Sequence, residues 1–266
     1  MIDIIIVGGG PAGLSAGISA RQRNNSVVVI SDEISKNRLY KASRVDNYPG
    51  FPGISGAELL EKMSSHALDA GAQMVVGKVT NILPGDNSFH VAHGNEISVS
   101  KSIIIATGVS HSSLFPGEER LLGRGLSYCA TCDGMLYRGK RVCVICLTDE
   151  AEEEADYLES IGCEVIRSKS QNVSINGENK VSSVTIDGET IDCDGLFIIR
   201  QGIAPHLLLP GLEVVGGYIN ASPSGHTSLP GVFAAGDCVG TPHQISKAVG
   251  QGLVAALSAS VYIRAL

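Results

Sequence analysis

The segment that most restricts the fold of this chain is the glycine-rich loop of residues 8–13, which directly follows the apolar run of residues 4–7. Four consecutive apolar residues before such a loop are typical of a parallel strand buried on both faces. The loop reads G-G-G-P-A-G and fits the pattern G-x-G-x-x-G, whose glycines permit a tight turn and let backbone N–H groups approach a pyrophosphate. The candidate cofactor contacts of this loop are Gly8, Gly10, Pro11, Ala12 and Gly13.

The residues after the loop strengthen this interpretation. A helix is predicted over residues 14–23 and a second strand over residues 26–30, followed by Asp32 and Glu33. This acidic pair lies about 20 residues beyond the last glycine, where the ribose of a dinucleotide needs a hydrogen-bond acceptor. A glycine loop alone is weak evidence, but strand, loop, helix, strand and acid in this order predict a Rossmann-type α/β fold that binds a dinucleotide.

Two later segments indicate that the dinucleotide is FAD. Residues 102–108 form another buried-strand pattern that ends in a turn of small residues, and residues 231–237 repeat this shape with an aspartate at the tip. A helix rich in alanine and glycine is predicted after it, over residues 243–259. The candidate cofactor contacts in the two turns are Ala106, Thr107, Gly108, Gly236 and Asp237.

A second chemical signal is the pair Cys129 and Cys132, two residues apart and followed at once by Asp133. Such a pair closes a small ring and commonly lowers the pKa of one thiol, so it predicts a reversible dithiol/disulfide. The alternatives are two buried packing residues or half of a zinc site, and no second pair at zinc spacing completes four ligands. Cys143 and Cys146 are also three positions apart, but on a strand they would face opposite ways, which favours packing.

Composition argues against several classes of function. The net charge of −7 does not favour nucleic acid as a partner. No apolar run is long enough to cross a bilayer, and Met1 leads almost directly into a strand, which leaves no room for a signal peptide. The seven cysteines are expected to be mainly thiols, as in a cytoplasmic protein, rather than a structural disulfide framework.

With these motifs the chain resembles the low-molecular-weight thioredoxin reductases of the two-domain flavoprotein disulfide reductase superfamily, over nearly its whole length. The resemblance rests on G-G-G-P-A-G at 8–13, N-Y-P-G at 47–50, A-T-G at 106–108, C-A-T-C-D-G at 129–134 and G-D at 236–237. It implies an α/β protein of two Rossmann-like three-layer domains that forms a homodimer. The FAD-binding domain would comprise residues 1–111 and 206–266, with a smaller dithiol domain of residues 112–205 inserted into it.

The resemblance also implies roles for individual residues. Cys132 would face the flavin, Cys129 would attack the disulfide of a thioredoxin-type protein, and Asp133 would manage the proton of the departing thiol. Gly236 and Asp237 would hold the ribityl-phosphate region of the flavin. Further implied contacts are Asn47, Gln244 and Ile245 near the isoalloxazine, Lys78 and Val79 beside the adenine, and Arg38 and Leu39 in the flavin loop, where Lys36-Asn37-Arg38 replaces the usual Gly-Gly-Gln.

The inserted domain of this family normally binds NADPH, but the corresponding stretch here lacks the necessary turn. A strand is predicted over residues 141–146 and a helix to about residue 160, yet no glycine lies between Lys140 and Gly162. Side chains therefore stand where backbone must approach a pyrophosphate. Acidic residues at the helix start would repel a diphosphate by on the order of 1–4 kcal/mol per close pair. They are Asp149, Glu150, Glu152, Glu153 and Glu154.

The basic half of the nucleotide site is also reduced. After a strand predicted over residues 163–166, only Arg167 and Lys169 remain of the cluster that holds a 2′-phosphate in this family. A hairpin is then predicted over residues 180–186 and 189–193. The pattern indicates a truncated domain that keeps its core and has lost its ligand.

A flavin enzyme without a pyridine nucleotide needs another donor, and flavin accepts electrons singly or in pairs. The resemblance is then closest to the ferredoxin-dependent flavin thioredoxin reductases of anaerobic bacteria. Ferredoxins are generally acidic, so basic groups could attract one, although they could equally be ordinary solvated side chains. The basic groups are Lys36, Arg38, Lys41 and Arg44 in the expected flavin loop, and Arg120, Arg124, Arg138, Lys140 and Arg141 around the cysteine pair.

The sequence thus predicts a flavoprotein disulfide oxidoreductase that reduces thioredoxin with electrons from ferredoxin, through FAD and the Cys129–Cys132 pair. One alternative is a reductase of the same fold that uses NAD(P)H through a degenerate site, or a different donor. The other is a non-catalytic flavoprotein that acts as a redox sensor or interaction module.

Overall fold

The computed structural model describes residues 1–109, 115–148, 151–200 and 204–266. The chain forms two compact units, one of Met1–Ser110 with Ala204–Leu266 and the other of His111–Ile203. Both units are α/β and contain parallel strands in a Rossmann-type arrangement, together with some antiparallel strands, which confirms the predicted fold class.

The first unit begins with β1 (Ile2–Val7), α1 (Pro11–Arg21) and β2 (Val27–Ser31), the predicted order of strand, loop, helix and strand. The helix begins three residues earlier than predicted because proline fits the first helical position, where its missing N–H costs nothing. It also ends two residues earlier, and Asn24 then adopts a φ of 61° in the turn to β2.

The rest of the N-terminal segment completes a sheet. Its elements are α2 (Gly56–Asp69), β3 (Gln73–Val76), β4 (Val79–Gly85), β5 (Ser88–His93) and β6 (Glu96–Ile105). Ser55 caps α2 by accepting a hydrogen bond from the Glu58 N–H at 3.1 Å.

The second unit contains eleven elements in its described residues. They are α3 (Glu118–Leu121), β7 (Leu126–Ser127), α4 (Ala130–Asp133), β8 (Arg141–Cys146), α5 (Ala151–Ser160), β9 (Glu164–Ser168), β10 (Val173–Asn176), β11 (Ser183–Ile186), β12 (Glu189–Asp192) and β13 (Gly195–Ile199), with a 3-10 helix at Gly134–Tyr137. Strands β7, β13, β8 and β9 form a parallel sheet in that order, and β10, β11 and β12 form an antiparallel one. The predicted hairpin is β11–β12, and β10 is a third strand that the sequence analysis missed.

The chain then returns to the first unit through α6 (Pro205–Leu208), β14 (Val214–Val215), β15 (Tyr218–Ile219), β16 (Val232–Ala234) and α7 (Ile245–Arg264). Helix α7 starts two residues later and ends five residues later than predicted, because Gln244 is its extended N-cap and the apolar pattern continues to its end. The sheet runs β3-β2-β1-β6-β5-β4, with β16 parallel to β6.

Close packing of α1 on α7 holds the main core of the first unit. A methyl group at Gly252 would lie 2.1 Å from the Ala12 carbonyl oxygen, so the two helices touch backbone to backbone. Ala16, Ala255, Ala256 and other small side chains fill the same core and are fully buried. In the described parts of the chain, no helix has both the length and the apolar character that a bilayer span requires.

Candidate functional site

Three of the predicted cofactor segments lie at one edge of the first unit's sheet. Strands β1, β6 and β16 are parallel neighbours, and Ile105 at the end of β6 pairs with both Val7 and Ala234. The glycine loop, the turn of residues 106–108 and the turn at Gly236 therefore leave the sheet side by side. The carboxyl edge of such a sheet is where open α/β folds bind ligands.

The glycines of the first loop are required by close backbone contacts. Gly8 has a φ of 113°, and a methyl group on it would lie 2.3 Å from the Ala106 carbonyl oxygen. A methyl group on Gly13 would lie 1.9 Å from the Gly8 carbonyl oxygen. Because α1 begins at Pro11, its first N–H groups have no intrahelical acceptor and are available to an anion at this loop.

Two buried polar atoms at this edge lack a hydrogen-bond partner among the described residues. They are the hydroxyl oxygen of Thr107 and Oδ1 of Asp237. A buried polar atom left unpaired costs about 1–3 kcal/mol, which a ligand with hydroxyl or phosphate groups can remove. The loop and these two atoms therefore fit a dinucleotide-type ligand.

Two residues of α7 that the sequence analysis missed shape the Gly236 turn. The Gly236 N–H donates to the Gln251 side chain at 3.0 Å. The Lys247 ammonium donates to the carbonyl oxygens of Gly236 and Gly240. Lys247 and Gln251 are four residues apart, so their shared helix face is the sequence signal that could have identified them.

The structure also brings together two of the three residues predicted to lie near the isoalloxazine. The Asn47 side-chain amide donates to the Gln244 side chain at 2.8 Å, although the two residues are far apart in sequence. Ile245 follows as the first residue of α7. In the flavin loop, Leu39 packs against the first unit's core, whereas Arg38 is exposed.

The predicted ribose and adenine contacts lie at the same edge of the sheet. Asp32 and Glu33 directly follow β2 and are exposed. Lys78 lies in the connection from β3 to β4, Val79 is the first residue of β4, and Gly77 in the same connection donates its N–H to the Ser31 carbonyl at 2.8 Å. Asp32, Glu33 and Lys78 thus follow two neighbouring strands.

In the second unit, the cysteine pair lies on a short helical turn. Cys129 is buried and disulfide-bonded, and α4 begins at the next residue. The backbone of Cys132 lies in α4, whereas its side chain lies outside the described part of the structure. The Thr131 hydroxyl lies 3.3 Å from the Cys129 sulfur.

Ser127 connects Cys129 to the predicted acid/base residue. Its hydroxyl donates to Oδ2 of Asp133 at 2.6 Å and accepts a hydrogen bond from the Cys129 N–H at 3.1 Å. The arrangement fixes Asp133 against the start of the cysteine turn. The sequence analysis did not identify Ser127, because serine at this position has no distinctive spacing.

Glu154 of α5 also reaches the cysteine turn. Its Oε2 accepts a hydrogen bond from the Ala130 N–H at 2.7 Å, between the two cysteines. Ala130 packs in the same buried cluster as Ala151 and Ala155 of α5. Glu154 was predicted only as one member of an acidic cluster.

The other five cysteines, Cys143, Cys146, Cys163, Cys193 and Cys238, are free and buried, as expected for packing residues. Burial raises the pKa of Cys238 to about 12, and it also raises the pKa values of Cys146 and Cys163. The pKa of Cys143 is raised by a hydrogen bond with Cys193 and by burial.

Two basic residues after β8, predicted to remain from a nucleotide site, contact carboxylates of α5. The Arg167 guanidinium contacts Asp156 and Glu159 at 2.8 Å each and Glu152 at 3.3 Å. Lys169 contacts the other oxygen of Glu152 at 2.9 Å. These contacts lower the pKa of Glu152, with Lys169 as the largest cause. The predicted acids Asp149 and Glu150 lie outside the described residues.

Some of the predicted basic side chains are exposed, whereas others form ion pairs or hydrogen bonds within the chain. Lys36, Arg38 and Lys41 are exposed, but Arg44 is paired with Asp46 at 2.8 Å, so the loop is less basic than its sequence suggested. Arg141 pairs with Glu164 at 2.7 Å. Around the cysteine pair, Arg120 donates to the carbonyls of Gly177 and Glu178, and Lys140 donates to the Leu136 carbonyl.

A fully buried ion pair lies beside the cysteine turn. Glu118 accepts hydrogen bonds from Arg200 at 2.8 Å, from the Tyr128 hydroxyl at 2.6 Å and from the Phe115 N–H at 2.8 Å. The Arg200 guanidinium lies over the Phe115 and Tyr128 rings, 5.3 and 5.6 Å from their centroids. Burial and Glu118 raise the pKa of Tyr128, the residue before Cys129.

Comparison with known proteins places this geometry among disulfide oxidoreductases. Residues 2–167 and 151–252 match the pyridine nucleotide-disulphide oxidoreductase family. A thioredoxin reductase of Treponema pallidum is 35% identical over an alignment 300 positions long, which covers 99% of this chain and 98% of that protein.

Solved structures include a ferredoxin-flavin thioredoxin reductase from Clostridium acetobutylicum, with a TM-score of 0.90 and 38% identity. The match covers 99% of this chain and 98% of that one. A thioredoxin reductase from Gloeobacter violaceus matches with a TM-score of 0.82 and 28% identity over 99% of this chain and 94% of that one.

Proposed function

Because this chain belongs to the pyridine nucleotide-disulphide oxidoreductase family and has the fold of the thioredoxin reductases, we propose that it reduces thioredoxin with electrons from ferredoxin. The proposed cofactor is FAD, and the proposed setting is a homodimer in the cytoplasm. The names of the relatives called thioredoxin reductase do not specify the electron donor.

The observation that supports ferredoxin over NADPH as the donor is the pairing of Arg167 with three carboxylates. A 2′-phosphate would need free basic groups beside β9, but Arg167 contacts three carboxylates and Lys169 contacts one of the same three. An incoming phosphate would have to displace these carboxylates and would then meet their charge. The glycine-free turn before α5 adds a steric obstacle. The structural similarity to a ferredoxin-flavin thioredoxin reductase supports the same donor.

The proposed FAD-binding domain is the first unit. Its glycine loop would hold the pyrophosphate, and the unpaired oxygens of Thr107 and Asp237 would bond groups of the cofactor. The remaining proposed contacts are Asp32, Glu33, Arg38, Leu39, Asn47, Lys78, Val79, Ala106, Gly108, Gly236, Gln244 and Ile245. When bound, FAD supplies the exchange between one-electron and two-electron transfer that a ferredoxin donor requires.

In the proposed dithiol domain, two electrons and two protons convert the Cys129–Cys132 disulfide into two thiols. The Cys129 thiolate attacks the thioredoxin disulfide, whose S–S bond breaks as a mixed disulfide forms, and the departing thioredoxin sulfur takes a proton. Cys132 then attacks Cys129, which releases the second thioredoxin sulfur and restores the enzyme's disulfide. Asp133, held by Ser127, would carry the proton in these steps.

The proposed donor surface is the exposed basic group of Lys36, Arg38 and Lys41 in the first unit. It is positive in a chain whose net charge is −7, so it could guide an acidic iron-sulfur protein. Its contribution is expected in the association rate, and should therefore weaken as salt is added.

Anaerobic titration of the purified flavoprotein tests the donor directly. Reduced ferredoxin should bleach the flavin absorbance, with two one-electron equivalents taken up by the cofactor and two more by the Cys129–Cys132 disulfide. NADPH at concentrations up to about 1 mM, the upper end of common KM values, should leave it unchanged on the time scale of turnover. Rapid bleaching by NADPH would overturn the proposed donor.

Cysteine variants test the route to thioredoxin. Cys129→Ser should retain flavin bleaching by ferredoxin and lose thioredoxin reduction. The matched control is Cys163→Ala, which removes a buried free thiol outside the pair and should retain both. Thioredoxin reduction by Cys129→Ser at the native rate would exclude the dithiol mechanism.

A further inference from the structure

The acidic start of α5 does more than exclude a nucleotide, because one of its carboxylates contacts the cysteine turn. Glu154 accepts the Ala130 N–H at 2.7 Å, and Ala130 lies between the two cysteines. The neighbouring Glu152 is instead paired with Arg167 and Lys169, while Glu153 is exposed. The three glutamates are consecutive, and among the described residues of this acidic segment only Glu154 makes a hydrogen bond to the turn.

We infer that Glu154 is a positioning residue that disfavours the thiolate of reduced Cys129. The inference deepens the proposed function and rests on it, since it concerns the same dithiol. It assigns to the remnant of the nucleotide site a role in setting the reactivity of the cysteine pair.

Two physical effects of Glu154 act in the same direction. A thiolate at Cys129 would be stabilised by backbone N–H groups at the start of the following turn, as at other helix N-termini. Glu154 occupies the first of these, the Ala130 N–H. Its negative charge also repels a developing thiolate across a partly buried space, where screening by water is reduced.

The other titratable groups around the turn do not duplicate this role. Asp133, on the turn itself, receives the Ser127 hydroxyl. Glu118 is paired with Arg200, and the raised pKa of Tyr128 keeps that residue neutral. Further groups packed near Ala130 are Tyr137, Tyr157, Cys146 and Cys163, of which Tyr137, Cys146 and Cys163 have raised pKa values and are uncharged near pH 7.

The charge and the hydrogen bond can be separated by two substitutions. Glu154→Gln keeps an oxygen that can accept the Ala130 N–H but removes the charge, and Glu154→Ala removes both. The matched control is Glu153→Gln. It removes the same charge from the adjacent residue, whose side chain is exposed.

The measurement is the iodoacetamide alkylation rate of Cys129 as a function of pH, in the reduced, flavin-bound protein. A Cys132→Ser background leaves one reactive cysteine in the tryptic peptide of residues 125–138, which mass spectrometry can quantify. Removing the charge should increase the thiolate about tenfold near pH 7. Lower intrinsic nucleophilicity offsets part of this gain, so the rate should rise about threefold and the midpoint of the pH profile should fall.

The inference is supported if Glu154→Gln and Glu154→Ala both accelerate alkylation and Glu153→Gln does not. Acceleration by Glu154→Ala alone would show that Glu154 only holds the turn, and equal acceleration by Glu153→Gln would show a general charge effect. No acceleration in any variant would also refute it. Alkylation requires neither ferredoxin nor thioredoxin, so failure here is distinguishable from failure of the proposed donor or substrate.

Discussion

The buried pair of Glu118 and Arg200 leads to a quantitative prediction for Arg200→Met. Both side chains are essentially inaccessible, with exposed fractions of 0% and 3%, and their charged atoms are 2.8 Å apart. Methionine fills much of the arginine volume but leaves the carboxylate buried without a counter-ion. Breaking such a pair from one side typically costs about 3–5 kcal/mol.

The structure narrows this range. Glu118 would keep two donors, the Phe115 N–H and the Tyr128 hydroxyl, so its solvation is not wholly lost. The carboxylate can also escape by binding a proton, and protonating an ordinary glutamate at pH 7 costs about 3.7 kcal/mol. We therefore expect Arg200→Met to reduce the free energy of unfolding of the second unit by about 3 kcal/mol at pH 7. The part of this loss that comes from the unpaired charge cannot exceed the protonation cost of about 3.7 kcal/mol.

The expected loss of stability in Arg200→Met depends on pH. In the variant, the folded state holds a proton on Glu118 more readily than the unfolded state, so lowering the pH favours folding relative to pH 7. At pH 5.5 the protonation limit falls to about 1.6 kcal/mol, and the loss should shrink accordingly. Hydrogen exchange of the β8 and β13 amides measures this free energy within the second unit.

The double variant Glu118→Gln with Arg200→Met is the control. It removes both charges and should be within about 1 kcal/mol of the native protein, because replacing a whole buried pair is often nearly neutral. If the double variant is as unstable as Arg200→Met, the loss comes from packing and not from the unpaired charge. A cost for Arg200→Met that does not change between pH 7 and 5.5 would refute the electrostatic reasoning in the same way.

Three further outcomes are expected. Ser127→Ala should lower kcat for thioredoxin reduction by about tenfold through loss of the hydroxyl that orients Asp133, and Ser127→Thr should recover most of it in the same steady-state assay. Gly252→Ala places a methyl group 2.1 Å from the Ala12 carbonyl and should reduce the free energy of unfolding by about 1–3 kcal/mol despite better helix propensity; an unchanged urea midpoint would contradict this. Since burial raises the pKa of Cys238 to about 12, this thiol should resist iodoacetamide at pH 8.5 in the native protein and react after denaturation, as mass spectrometry can record.

The sequence predicted best what depends on local geometry. The glycine loop, β1 and β2 follow from a buried apolar run and from positions where any side chain would collide with backbone, as at Gly8 and Gly13. The contact at Gly13 involves the nearby Gly8, and Gly8 itself has a positive φ, so the local pattern carries both requirements, although the Ala106 carbonyl that Gly8 approaches lies far along the chain. The predicted start of α1 was wrong by three residues, because Pro11 was assigned to the glycine loop although proline is also favoured at the first position of a helix.

The missed features are individual side-chain contacts. The hydrogen bond of Glu154 with the Ala130 N–H depends on how α5 lies against the cysteine turn, and the pairing of Arg44 with Asp46 depends on the loop conformation and on rotamers. Acidic spacing at the start of α5 predicted repulsion of a phosphate, but it could not reveal which glutamate turns toward the cysteine pair. Strand β10 was missed because a short segment that alternates only Val173 and Ile175 with polar residues resembles a loop.

The contacts of Arg167 with three carboxylates restrict how a nucleotide site could be engineered in the second unit. Removing any one of Asp156, Glu159 or Glu152 still leaves two acidic partners on the guanidinium. No single substitution of these acids would leave the Arg167 guanidinium unpaired. A glycine introduced before α5 would open space for a pyrophosphate, but Arg167 would still be paired with carboxylates. Building a pyridine-dinucleotide site in this unit would therefore require several coordinated substitutions, since no single one removes all the acidic partners of Arg167.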